Sequence, residues 1–129
     1  MKPRMSLLLL LPGIALALPV GAHHSGAAFD RDKSVTVTGT VNSVEWTSPH
    51  ARLKVDAKDD AGAAVTWDFE LPSPVTLTRR GWTKSALMPG DKITVTGAPA
   101  REHAHIAIAT GVTDKSGKRL FASAANSTE

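Results

Sequence analysis

The chain has 129 residues, with 15 basic and 12 acidic side chains, five histidines and no cysteine. That length suits one domain rather than two. The lack of cysteine excludes disulfides, thiolate metal sites and a lipid-modified cysteine anchor. Any metal must therefore be held by nitrogen and oxygen, which points away from Cu(I)–thiolate and structural zinc chemistry.

The first residues read as an export signal. Lys2 and Arg4 supply a positive start, Leu7 to Leu18 form an apolar run broken by Pro12 and Gly13, and Pro19-Val20-Gly21-Ala22 is a small-residue exit. This order predicts a secretory signal peptide over 1–22, too short to anchor the chain in a bilayer. A cut after Ala22 keeps the apolar run whole and leaves Pro19 just upstream of the cleavage pocket. A competing cut after Ala17 would leave Leu18 to Ala22 in front of His23. The expected location is the periplasm, or outside the cell. Removing 1–22 takes away two bases and no acids, so the formal charge falls from +3 to +1. A nearly neutral domain is a poor binder of phosphate backbones, and no nucleic-acid partner is expected.

Residues 23–33 form an N-terminal metal-binding segment in this reading, a loop pinned to the body of the protein by Phe29. Val35, Val37, Gly39 and Val41 then alternate with threonines, a half-buried strand. Val44 and Trp46 share a face after a change of phase, which predicts a β-bulge. Ser48-Pro49 turns into a second strand with Ala51, Leu53, Val55 and Ala57 inward. Beyond the turn at 59–62, Val65, Trp67, Phe69 and Leu71 form the inward face of a third strand, opposite an outward Asp68 and Glu70. Ser73-Pro74 resembles a helix start and Gly81 a stop, leaving about two helical turns over 74–80. Ile93, Val95 and Gly97 mark a fourth strand. Ala104, Ile106, Ile108, Thr110 and Val112 mark one face of a fifth, and Arg119-Leu120-Phe121 adds a short edge strand. Residues 122–129 lack core residues and read as a disordered tail.

Three strands, a short helix and two strands is the element order of an OB barrel. The expected fold is all-β: a small OB-like, five- to six-stranded antiparallel barrel over 34–121, with one short helix between strands 3 and 4. A small sandwich is the alternative.

Four features could carry chemistry. His23 and His24 follow the expected cut, so the mature protein begins with an amine and an imidazole on one residue, a ready chelate. The amine, with an ordinary pKa of roughly 7.7–8, and the ring, at about 6.5, both lose protons to a metal near neutral pH. One more imidazole completes a three-nitrogen set suited to Cu(II). His50, held by the proline turn at the start of the second strand, is the first candidate for that nitrogen. His103 and His105 form a secondary pair, roughly 6.6 Å apart on one strand face from the rise per residue, although exposed polar pairs on strands are common. Trp46, Trp67 and Trp82 could stack a sugar or base, but valines share the faces of the first two, which favours a core role. Asp68 and Glu70 read as a solvated face. The sequence holds no nucleophile elbow, glycine-rich phosphate loop or Cys/His pair, and an enzyme is not expected.

The pattern His23-His24-Ser25, Phe29-Asp30, Gly39-Thr40-Val41, Trp46-Thr47-Ser48-Pro49-His50, Gly81-Trp82 and Pro89-Gly90-Asp91 resembles a family of short exported bacterial proteins classed as a domain of unknown function. Ser48 stands where that pattern usually has asparagine, and His103 and His105 match none of its motifs. The resemblance implies export and a compact β fold, with no activity attached. The layout is also similar to small periplasmic copper-binding OB proteins. Those use methionine and histidine for Cu(I), whereas Met88 is the sole methionine beyond residue 22 here. The functional expectation is a non-enzymatic periplasmic protein that binds a metal ion, copper foremost, through His23 with His50 or His24. The alternative is a ligand- or protein-binding OB-like accessory module of a periplasmic or membrane complex, with no metal role.

Overall fold

The computed structural model describes residues 28–122. The expected signal peptide, His23, His24 and the tail beyond Ala122 lie outside the described residues. Six strands and one helix follow in order: β1 (Val35–Glu45), β2 (Arg52–Lys58), β3 (Ala64–Glu70), α1 (Pro74–Arg79), β4 (Lys92–Pro99), β5 (Ile106–Asp114) and β6 (Arg119–Ala122).

Five strands close into a barrel and β6 adds to it. β1 is long enough to serve two neighbours. Val35–Thr40 pair with β4, and Thr40–Glu45 pair with β2. The register slips between Val41 and Ser43, so the bulge expected from the change of phase is present. An extra residue there bends the strand and increases its twist, which lets one strand span two sides of a barrel. β4 and β2 are antiparallel to β1, and the ring closes where β3 runs parallel to β5, with Asp68, Phe69 and Glu70 beside Ile106, Ala107 and Ile108. This one parallel pairing makes the barrel mixed, where an all-antiparallel one was expected.

Leu53, Val55, Phe69, Ile93, Val95 and Val112 fill the interior and are essentially fully buried. Each sits at every second position of its strand, the spacing a pleated strand needs to fill one face. Trp46 and Trp67 are half-buried against this core, and Trp82 is buried, donating its indole N–H to the Leu120 carbonyl. An exposed platform of three tryptophans is therefore absent among the described residues. α1 starts as expected: Ser73 Oγ accepts from the Thr76 N–H at 3.2 Å, Pro74 occupies the first turn, and Leu77 is buried.

Two expectations fail on the fifth strand. The buried positions are Ala107, Ala109 and Val112, not the face of Ile106 and Ile108. The pairing with β4 skips Thr110, so the inward phase changes there. Small side chains fit where β5 is paired on both edges at the closure, and the larger isoleucines sit outside, half-covered. The strand also begins at Ile106, after a turn, so His103 and His105 do not share a strand face.

Candidate functional site

Two histidine-bearing regions flank the β3–β5 closure. The first is built on the turn that leads into β2. The Ala51 N–H donates to the Pro72 carbonyl at 3.2 Å, and the Leu71 N–H donates to Ala51 at 2.8 Å. These bonds carry the β2–β3 pairing one step beyond the strands and hold His50 over the end of β3. His50 Nδ1 lies 3.6 Å from Glu70 Oε1, too far for a hydrogen bond.

Glu70 is 8 % exposed, and its Oε1 has no hydrogen-bond partner among the described residues. Burying a carboxylate oxygen without a donor is costly. Arg52 makes no hydrogen bond to it, although the Glu70 charge acts on the guanidinium. The Arg52 guanidinium forms a fork on Asp68, with contacts of 2.9 Å from Nε to Oδ1 and from a terminal nitrogen to Oδ2. That hydrogen bond, with the Asp68 charge, raises the Arg52 pKa above its ordinary value despite partial burial. The expectation of Glu70 as a solvated residue is thus corrected. Alternation along β3 placed it outward, but the closure sets β5 beside it and removes the water.

Next to His50 lies a cavity of about 230 Å³ whose lining includes Arg31, Leu71, Arg80, Ile108 and Phe121. It occupies a gap in the barrel wall. One edge of β5 pairs with β3 at Ile106–Ile108 and with β6 at Gly111–Val112, and the residues between face the opening.

The second region is the connection from β4 to β5. The Ala100 N–H donates to the Ile106 carbonyl at 2.8 Å and ties its two ends together. His105 has φ 58°, a left-handed conformation uncommon for a residue with a side chain. Its carbonyl accepts the Asp68 N–H at 2.9 Å, and its ring meets Trp67 edge-on at 5.2 Å between centroids. Such over-determination is what sustains a strained residue. His103 is exposed. An open cleft of about 490 Å³ is lined by Trp67 together with residues 99–106.

The entering chain is sewn to this same region. Phe29 is buried and bridges Ala100 in antiparallel fashion. The Arg101 N–H donates to the Ala28 carbonyl at 2.9 Å, the Asp30 N–H donates to Pro99 at 2.8 Å, and the Arg101 guanidinium reaches the Asp30 carboxylate at 3.6 Å. Phe29 pins the segment, as expected. Among the described residues, no group of three or more histidine and acidic side chains is arranged to hold a metal. His50 and the His103–His105 pair lie in separate places, and among the described residues neither region arranges three such side chains around one point.

A family model matches residues 13–110, about three-quarters of the chain. The chain belongs to this family of unknown function (DUF6152). The matched stretch holds all five histidines and ends within β5. No curated protein matches the sequence. Among the described residues, no helix is long and apolar enough to cross a membrane.

Glu70 and the Asp30–Arg101 clamp were invisible to pattern reading. A carboxylate on an alternating strand looks solvated until its neighbours across the closure are known. The clamp joins residues 71 positions apart.

Proposed function

We propose that this is a periplasmic, non-enzymatic metal-binding protein that takes Cu(II) at the start of its mature chain. The amine and ring of His23 form a chelate, and His24 or a histidine of the barrel adds an imidazole. The observation that carries this reading is the anchoring of Ala28, Phe29 and Asp30 to the barrel. Five residue steps lead from His23 to Ala28, so chain length alone limits His23 to within about 18 Å of a fixed point on a barrel that presents three further histidines. A tethered ligand faces a high effective concentration of its partners, which converts weak donors into a site. Cu(II) heads the divalent affinity series and favours tetragonal nitrogen coordination, which suits this cysteine-free donor set.

A second reading rests on the cavity beside His50. Its apolar floor and flanking arginines suit an accessory module that binds a small ligand or a partner's side chain. The strand order and parallel closure support an OB-like layout, and such barrels use their faces and loops for binding.

The test is Cu(II) titration by electron paramagnetic resonance on protein cleaved by its own export machinery, with the N-terminus established by mass spectrometry. A tight one-to-one site with several nitrogen ligands, weakened at least a hundredfold by one extra residue before His23, is the expected result. Weak binding that ignores the extra residue would remove the metal reading and leave the accessory module.

A further inference from the structure

We infer that the cavity beside His50 is a binding site for a small organic carboxylate with an apolar body. This rests on the second reading above, that the cavity takes a ligand or a partner's side chain, and is independent of any metal.

Charge and shape carry the argument. Leu71, Ile108 and Phe121 give the cavity an apolar floor, and Arg31, Arg80 and His50 share its lining. Among the described residues, no carboxylate lines it. Glu70 lies outside the lining and meets His50 instead, with Oε1 3.6 Å from Nδ1. An apolar hollow with a few polar groups is the usual build of a small-ligand site. Two guanidiniums would repel a cation, whereas a carboxylate matches the planar fork of an arginine.

Arg31 is placed for this role. It stands in the turn closed by the Lys33 N–H on the Asp30 carbonyl at 3.2 Å, and the Asp30 N–H is bonded to Pro99 at 2.8 Å. The Asp30 carboxylate is engaged by Lys33 at 3.4 Å and by Arg101 at 3.6 Å. Arg52 sits on Asp68, but Arg31 enters no ion pair among the described residues. The Arg80 guanidinium lies over the Phe121 ring, 5.5 Å from its centroid, a cation held against the aromatic floor.

The barrel wall explains the opening and its size. β5 leaves β3 after Ile108 and joins β6 at Gly111, so Ala109 and Thr110 have no strand beside them on that edge. The volume of about 230 Å³ is the share of roughly eight waters at about 30 Å³ each, which suits an occupant of about ten non-hydrogen atoms. That is below the range of drug-sized ligands.

The test is titration of the intact exported protein with phenylacetate, read by amide NMR in the presence of a metal chelator. Saturable shifts are expected at Arg31, Leu71, residues 108–110 and Phe121, with a Kd of about 1 mM or below. Phenylacetamide, the neutral isostere, should bind about tenfold more weakly. R31Q should weaken phenylacetate about fivefold. K58Q removes the same charge at the far end of β2 and should weaken it less than about twofold. Equal binding of acid and amide at the cavity would overturn the carboxylate class and leave the cavity as a ligand site. Equal weakening by R31Q and K58Q would reduce the effect to net charge and overturn it too. Silence of the lining towards both compounds, or shifts centred on residues 100–106, would overturn the inference outright and leave the cavity only a partner's side chain.

Discussion

The His50 corner and the His103–His105 turn both lean on β3, one at its last residue and the other at Asp68, yet they differ in what surrounds the imidazole. At His50 the barrel closure has buried a carboxylate and opened an apolar gap beside it. At His103 the chain is turned outward into an open cleft, next to the point where the N-terminal segment joins the barrel. The first is a pre-packed corner with one buried carboxylate oxygen that accepts no hydrogen bond. The second is an open cleft walled by Trp67 and the turn that carries both histidines. Histidine count alone does not separate them; burial does.

The strongest way to break the contrast is to disturb the closure on the His50 side. A Cβ on Gly97 would sit 2.6 Å from the Ile108 carbonyl oxygen and 3.4 Å from Ala107. Backbone cannot yield as a flexible side chain can, so Gly97→Ala should cost about 1–3 kcal/mol in urea denaturation. Its amide shifts should concentrate at Ile108, Thr110 and His50, and shifts confined to 101–105 would show that the two regions are mechanically one.

A smaller effect sharpens the electrostatic half. Glu70→Gln removes the charge from a carboxylate whose buried Oε1 accepts no hydrogen bond, and should raise stability by about 1 kcal/mol. A comparable loss in the same denaturation experiment would mean that His50 already holds the carboxylate well. Nothing at His103 should respond.

The smallest effect is a control outside both regions. Asn42 donates to Asp56 Oδ2 at 2.9 Å and Thr66 donates to Oδ1 at 2.7 Å. These bonds, Asn42's first, lower the Asp56 pKa below the ordinary carboxylate value. A depressed folded-state pKa contributes stability that is fully present above the unfolded value, about 3.9, and is lost as pH falls through the folded one. Asp56→Asn should therefore lessen the dependence of stability on pH below about 4 and lower stability by a constant amount across the neutral region. An altered slope between pH 6 and 8 would contradict this account.

Local pattern determined a good deal of this protein. Alternation located β1, β2 and β4 and their inward residues, the change of phase announced the bulge near Asn42, and the serine–proline start placed α1. Each of these depends on neighbours within a few residues, where side-chain period and backbone conformation are directly coupled. Only the tertiary structure decided which faces the closure would bury. The parallel meeting of β3 with β5 removed water from Glu70, turned Ala107 and Ala109 inward in place of Ile106 and Ile108, and ended the strand short of His105. Periodicity records that two faces differ; which of them is inside depends on a partner strand far away in the chain. The same holds for the clamp between Asp30 and Arg101, which exists only because the barrel brings the two ends of that contact together.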